Sequence, residues 1–219
     1  MSIKQQISHL HTTLPQGVTL VAVSKFHPAE AIREAYDAGQ RIFGESRPQE
    51  MAAKVAVLPN DIQWHMIGHL QTNKVKMIAP FVSLIHSVDS EKLVAEINRQ
   101  AEKNQRTIEI LFEVHLAEDE TKSGWNANEL RDFISSGAME QYPFVLVRGL
   151  MTIGTLTDDI ELNKCEFRQL KAMFDQLQPY FGAEFDTLSM GMTSDYCEAI
   201  ECGSTMVRIG SMIFGERVY

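Results

Sequence analysis

One pattern recurs eight times along the chain: a short strand-forming run, a brief connection, then a segment with helical spacing. The runs are Val18 to Val23, Arg41 to Gly44, Ile62 to Ile67, Phe81 to Val88, Thr107 to Val114, Pro143 to Leu150, Phe185 to Met190 and Thr205 to Ile209. Strands alternating with helices over short connections predict a parallel sheet, and eight repeats suit a closed barrel. At 219 residues the chain lies near the lower end of the length range for such barrels. An open doubly wound sheet is the competing architecture, and it would usually carry a glycine-rich first turn. The first turn here runs from Ser24 to Pro28 and has no glycine. The expected fold is therefore α/β: a single-domain (β/α)8 TIM barrel over residues 1–219. An extra N-terminal helix, about residues 2–13, is expected where Ile3, Ile7 and Leu10 share a face.

The helical segments carry their own punctuation. Pro28 suits a first helical position ahead of the stripe Ile32, Ala35 and Tyr36, and Gly39 sits where a left-handed cap belongs. Further helices are expected from Pro48 to Leu58, from Gln71 to Ile78, and after Ser90 with the stripe Leu93, Val94 and Ile97. Asn126 and Glu129 resemble a capping box opening a helix through Ile134. The last two helices are expected over Ile160 to Leu177 and over Thr193 to Cys202, the latter ended by Gly203.

Composition excludes several classes of function. A net charge of -9 argues against a nucleic-acid surface. The start lacks a basic segment followed by an apolar one, and no stretch reaches the roughly 18 apolar residues of a membrane span. Three cysteines, with no C-x-x-C pair, fit neither a disulfide framework nor a zinc site. A cytoplasmic protein is expected, with no metal.

Lys25 follows directly on the first buried run, and a buried ammonium costs several kcal/mol unless it is paired or neutralised. Solvation, ion pairing or loss of the charge would relieve that cost, and a neutral lysine is a nucleophile towards carbonyls. On local grounds a solvated or paired Lys25 and a reactive one stand level. The barrel adds to this, because its active sites lie at the C-terminal ends of the strands. Lys25, Glu45, His69, Ser87, His115, Met151, Ser189 and Gly210-Ser211 fall there. The loops after the seventh and eighth strands, Ser189 to Ser194 and Arg208 to Ser211, are rich in serine and glycine where such barrels seat phosphate. A reactive lysine with a phosphate seat describes a phosphorylated carbonyl ligand, either a sugar phosphate or pyridoxal phosphate. Arg208 can point into the barrel mouth, either to hydrogen-bond a pyridine nitrogen or to pair with a barrel carboxylate.

The chain resembles the pyridoxal phosphate homeostasis proteins, single-domain relatives of the alanine racemase barrel. The blocks that carry the resemblance are Val21 to Lys25, Phe43 to Glu45, Trp64 to Gln71 with Asn73 and Lys74, and Glu120 to Gly124. Gly149 to Thr152, Leu188 to Met192 and Thr205 to Gly210 complete them. The resemblance implies that the cofactor is pyridoxal 5'-phosphate and that Lys25 is the Schiff-base lysine. It also implies that Ser189, Met190, Gly210 and Ser211 hold the phosphate and that Arg208 faces the pyridine nitrogen. This chain has Ser46 where the family commonly has Asn after Phe-Gly-Glu.

A racemase needs a second acid or base on the cofactor face opposite the lysine. In the alanine racemases a further C-terminal domain and a partner subunit supply it, and this chain reads to Tyr219 directly after the eighth strand. An arginine at the pyridine nitrogen would also weaken the ring as an electron sink. The expectation is a carrier in pyridoxal phosphate homeostasis with no catalytic residue, with weak racemase or transaminase activity as the alternative. The expected partners are the small-molecule cofactor and apo-enzymes that receive it, with no nucleic acid, no membrane and a monomeric state. A ligand-free interaction module remains a different class.

Other residues carry milder expectations. His65 and His69 are too far apart along a strand, about 13 Å, to share a metal, so His65 is expected to pack and His69 to line the mouth. Lys122 reads as a solvated or lid lysine. Cys197 and Cys202 read as buried helix residues, and Met151, Met190 and Met192 as core packing.

Overall fold

The strands pair in parallel and strictly in sequence order, and the last pairs with the first, so the computed structural model is a closed eight-stranded barrel. It describes residues 1–116, 123–155 and 157–215. After helix α1 (Ile3–Thr13) come β1 (Thr19–Val23), α2 (Ala29–Asp37), β2 (Ile42–Glu45), α3 (Pro48–Val55) and β3 (Gln63–Met66). A single 3-10 turn leads into α4 (Val75–Ile78), followed by β4 (Leu84–Val88), α5 (Glu91–Lys103), β5 (Ile108–Glu113) and α6 (Ala127–Ser135). The chain continues through β6 (Val145–Met151), α7 (Ile160–Phe181), β7 (Thr187–Ser189), α8 (Tyr196–Glu201), β8 (Met206–Ile209) and α9 (Ser211–Phe214).

The expected barrel and N-terminal helix are both present. α1 is fixed by a reciprocal cap, Ser2 Oγ accepting from Gln5 N and Gln5 Oε1 accepting from Ser2 N. It buries Ile7 and Leu10 and packs against α2 and α9. Pro48 opens α3 at its first position, where a missing N–H costs nothing. Gly39 takes φ +101 just beyond α2, as its position after the apolar stripe predicts.

Several ends differ from the sequence expectation. Asn126 caps α6 by accepting from Asn128 N at 2.9 Å, so a short Asx bond replaces the capping box. The Ser90 hydroxyl donates to Asp89 Oδ1 at 3.0 Å and leaves the start of α5 without a side-chain cap. α7 runs past Leu177 and through Pro179 to Phe181. α8 starts at Tyr196 because residues 192–195 are held in a turn by Asp195 instead of entering the helix.

Two apolar regions hold this together. The larger lies between barrel and helices and includes Phe43, Phe112, Phe167 and Phe185, all fully buried. The smaller fills the barrel itself with Val21, Leu84, Leu111, Met151 and Met206. Side chains near the C-terminal ends of the strands sit above this plug, and there the interior turns polar.

Gly149 on β6 lies opposite Thr187 of β7 with φ +153. Any Cβ there would overlap the Thr187 carbonyl oxygen, part of the backbone. Gly149→Ala is therefore expected to cost about 3 kcal/mol or more, or to prevent folding, as read by thermal or urea denaturation.

Candidate ligand site at the barrel mouth

A cavity of about 360 Å³ opens at the C-terminal ends of β1, β2, β3 and β8. Its wall combines one amine, Lys25, and one guanidinium, Arg208, with the hydroxyls of Ser46, Thr193, Ser194 and Ser211. Val23, Ile67, Met192 and Ile153 supply apolar surface between them. Lys25 arrives there because β1 ends at Val23, and Arg208 because it pairs with Val21 on the neighbouring strand.

The two hydroxyl-bearing loops are tied to each other. Asp195 Oδ1 accepts from Met192 N at 2.5 Å, and Asp195 N donates to Met192 O at 3.2 Å, closing the turn that displays Thr193 and Ser194. Gly210 N donates to Thr193 Oγ1 at 3.3 Å, linking that turn to the start of α9. Gly191 has φ +92, and a Cβ there would meet the Ala199 side chain at 2.6 Å, so this loop lies flat against α8 only with glycine.

Arg208 is 5 % exposed and donates three hydrogen bonds into the barrel wall. Nη1 reaches Ser189 O at 3.0 Å and Ser189 Oγ at 2.7 Å, and Nη2 reaches Thr152 O at 2.9 Å. Burial lowers its pKa to about 10, against the pull of Glu113 and Asp195, so it stays cationic at neutral pH. Glu113 accepts from Ser123 Oγ at 3.2 Å, and burial pushes its pKa up.

Beneath Arg208 runs a chain of buried polar groups. Ser189 Oγ lies 3.1 Å from His86 Nδ1, and His86 Nε2 lies 2.9 Å from His65 Nδ1. Arginine can only donate, so Ser189 accepts from it and gives its own hydrogen to His86 Nδ1. His86 then carries its proton on Nε2 and donates it to His65, a residue that lines a polar cavity at the opposite barrel end. This arrangement gives each contact of the chain one donor and one acceptor and leaves the serine hydrogen partnered. Burial holds the His65 pKa near 3, and burial, with His65 and Arg208 nearby, takes His86 well below its ordinary value.

Of the residues expected at the site, Lys25, Arg208, Gly210 and Ser211 line the cavity. Ser189 and Met190 are fully buried beneath it, the first bound to Arg208 and His86 and the second in the core. The adjoining hydroxyls at the cavity are Thr193 and Ser194. His69 pairs with Asp89 at 3.2 Å, outside the cavity wall. Met151 packs as expected, whereas Met192 lines the cavity. The cysteine expectation needs correction: Cys197 is exposed on α8, whose buried residue is Ala199, and Cys202 is only half-buried at the cap that ends the helix. Lys122 lies outside the described residues. Among the described residues no cluster of His, Cys, Asp and Glu could hold a metal ion, and no helix is long and apolar enough to cross a membrane. Ser46, singled out in the sequence as a departure from the family pattern, lines the cavity, whereas His86 and Ile153 were not expected at the site.

The fold and this mouth define an alanine racemase-like barrel. The model of the alanine racemase N-terminal domain family matches residues 1–218. A pyridoxal phosphate homeostasis protein of Pasteurella multocida is 39% identical over 224 residues, covering 99% of this chain and 95% of its own. One from Aquifex aeolicus is 42% identical, covering 91% and 87%. The solved structure of PipY from Synechococcus elongatus with pyridoxal phosphate bound aligns with TM-score 0.89 at 38% identity, covering 98% of this chain and all of that one. Within the alanine racemase-type barrels, then, the chain belongs to the pyridoxal phosphate homeostasis protein family. Alanine racemase from Streptomyces coelicolor shares the fold, with TM-score 0.77 at 18% identity, and this chain spans 58% of it.

The neutral histidines set a pH dependence. Below about pH 6.5 an unfolded His65 takes up a proton that the folded one refuses down to about 3. Stability is therefore full above the unfolded value and falls as pH falls through the window between them. From pH 7 to pH 5 His65 alone is expected to remove about 2 kcal/mol, read by urea denaturation and flattened in His65→Gln. Ring nitrogen NMR is expected to show both imidazoles as neutral Nε2–H tautomers throughout.

Proposed function

We propose that this protein holds pyridoxal 5'-phosphate reversibly on Lys25 and serves its homeostasis as a carrier, without turning over a substrate of its own. The observation that carries the reading is the pairing of one amine and one buried, fixed guanidinium across a cavity rimmed by hydroxyls. That set matches the group in three respects. Lys25 supplies a nucleophile for the aldehyde, Arg208 a donor for the ring nitrogen, and Thr193, Ser194 and Ser211 supply donors for the phosphate, with Gly210 letting the backbone come close to it. Ser189 acts on the ring through Arg208 and does not itself touch the phosphate. Met190 anchors the same loop from the core, and Ser46 offers a hydroxyl beside the lysine.

When bound, the cofactor supplies an aldehyde that links to an amine and a ring that can accept electrons. Arg208 limits the second property. A cationic arginine with a pKa near 10 donates a hydrogen bond to the ring nitrogen but keeps its proton, so the ring would stay unprotonated and poorly disposed to draw electrons from an amino acid. This favours holding over turnover, in keeping with the names that the full-length relatives carry. We further place the protein in the cytoplasm as a monomer that passes the cofactor to apo-enzymes; the acidic net charge and three free cysteines support that setting.

Absorbance of the purified protein after adding pyridoxal phosphate tests the reading. A visible band is expected that borohydride bleaches, with added mass on the Lys25 peptide. Lys25→Ala should lose the band and bind more than about tenfold more weakly, a difference of roughly 1.4 kcal/mol. A colourless wild type would sink the proposal, and robust amino-acid turnover abolished in Lys25→Ala would overturn the carrier role.

A further inference from the structure

Lys25 sits between two residues that are gripped from behind. Ser24 N donates to Gly44 O at 3.0 Å, and Ser24 O accepts from His27 N at 3.1 Å, closing a turn over Lys25 and Phe26. Phe26 occupies the third position of that turn with φ +68. Turns of this shape usually place glycine there, and an aromatic residue persists in a left-handed conformation only where its surroundings impose it.

The surroundings are a charged cluster from β2 and α3. Glu50 Oε1 accepts from Phe26 N at 2.6 Å and from Lys54 Nζ at 2.7 Å. Lys54 Nζ also donates to Ser24 O at 2.9 Å and to Glu45 Oε1 at 2.7 Å, and Glu45 Oε1 accepts from Ser24 Oγ at 2.6 Å. The Arg47 guanidinium lies over the Phe26 ring at 5.0 Å. Ser24, Glu45 and Lys54 are all buried, and burial pushes the Glu45 pKa up against the pull of Lys54. A buried ion pair is often no more stabilising than apolar packing of the same volume. What this one does that apolar packing could not do is bind the backbone on both sides of Lys25.

We propose that Glu50 and Lys54 are positioning residues for Lys25, holding the Ser24–His27 turn in its left-handed form so that the amine is aimed at the carbonyl of a bound ligand. The inference rests on the reading of Lys25 given above. The step it governs is addition of the neutral Lys25 amine to the aldehyde carbon, with water leaving as the C=N bond forms. Such a step depends on the angle and distance of approach when the aldehyde is held elsewhere by its phosphate.

The test compares wild type, Glu50→Ala and Glu50→Gln, each as the full chain stripped of ligand. Glu50 is only part-buried, so its truncation leaves the core intact. Lys25 is labelled in two ways: by pyridoxal phosphate with borohydride, and by acetic anhydride, which has no phosphate to hold it. Glu50→Ala is expected to slow pyridoxal phosphate coupling about tenfold while acetylation stays within about twofold, because only the held aldehyde depends on aim. Glu50→Gln keeps an acceptor for Phe26 N and is expected to couple within about threefold of wild type, with melting temperatures close for all three. Equal coupling in Glu50→Ala, parallel slowing with both reagents, or a Glu50→Gln as slow as Glu50→Ala would each overturn the positioning role. A wild type that fails to couple at Lys25 sinks the cofactor reading and this inference with it.

Discussion

The buried charge of Arg208 is what the upper half of the barrel is arranged around. A guanidinium out of water costs several kcal/mol unless its donors are met. Here they are met mostly by neutral groups, the Thr152 and Ser189 carbonyls and the Ser189 hydroxyl. Among the described residues no carboxylate forms a direct ion pair with it, although Glu113 and Asp195 lie near enough to favour the charge. The neutrality of the histidines below follows. A second cation at His86 would face Arg208 across one serine, and burial already opposes it. Arg208 thus helps to keep the ring beneath it neutral and, through Ser189, ties β8 to β7.

Three successive strands carry most of the polar cavity wall between them. β7 ends in the loop carrying Thr193 and Ser194, β8 carries Arg208 and leads into Ser211, and β1 delivers Lys25. Closure of the barrel makes these strands neighbours although they stand at opposite ends of the sequence. The β7–β8 ladder rests on a single register pair, Ser189 opposite Met206. The links that compensate are polar and local: Ser204 Oγ with the Leu188 and Met190 carbonyls, Leu188 N to Thr205 Oγ1, and Arg208 to Ser189. The same bonds that hold the barrel closed at this point also hold the cavity-facing groups in place.

Much of this was legible in the sequence because the pattern repeats. Eight strands in order and a lysine at the end of the first left few topologies open, and Pro48 and Gly39 fell where their backbone restrictions require. What was not legible depends on partners remote in sequence. Ser189 reads as a phosphate hydroxyl until Arg208, nineteen residues away, is seen to bind it. His86 looks like any residue of an apolar strand until β3 and β7 bring His65 and the serine to it. Glu45, Glu50 and Lys54 look like ordinary helix-flanking charges, and nothing local says that they converge on the turn beside Lys25. Cys197 and Cys202 failed for a simpler reason: one lies on a short helix whose only buried residue is Ala199 and the other caps its end, and apolar character alone does not assign the inward face.

The two basic side chains of the mouth are held in contrasting ways, and the contrast suits a protein that must both keep and release a ligand. Arg208 is fixed inside the barrel by bonds to neighbouring strands, in a region with little freedom to move. Lys25 is fixed from outside it, through a turn whose Phe26 sits in a conformation its side chain disfavours and whose restraint comes from α3. Strain held beside the Lys25 amine is strain that a small movement of one helix can relieve. A mouth built this way keeps its guanidinium and hydroxyl wall rigid and leaves the turn that carries the amine as the part most open to change.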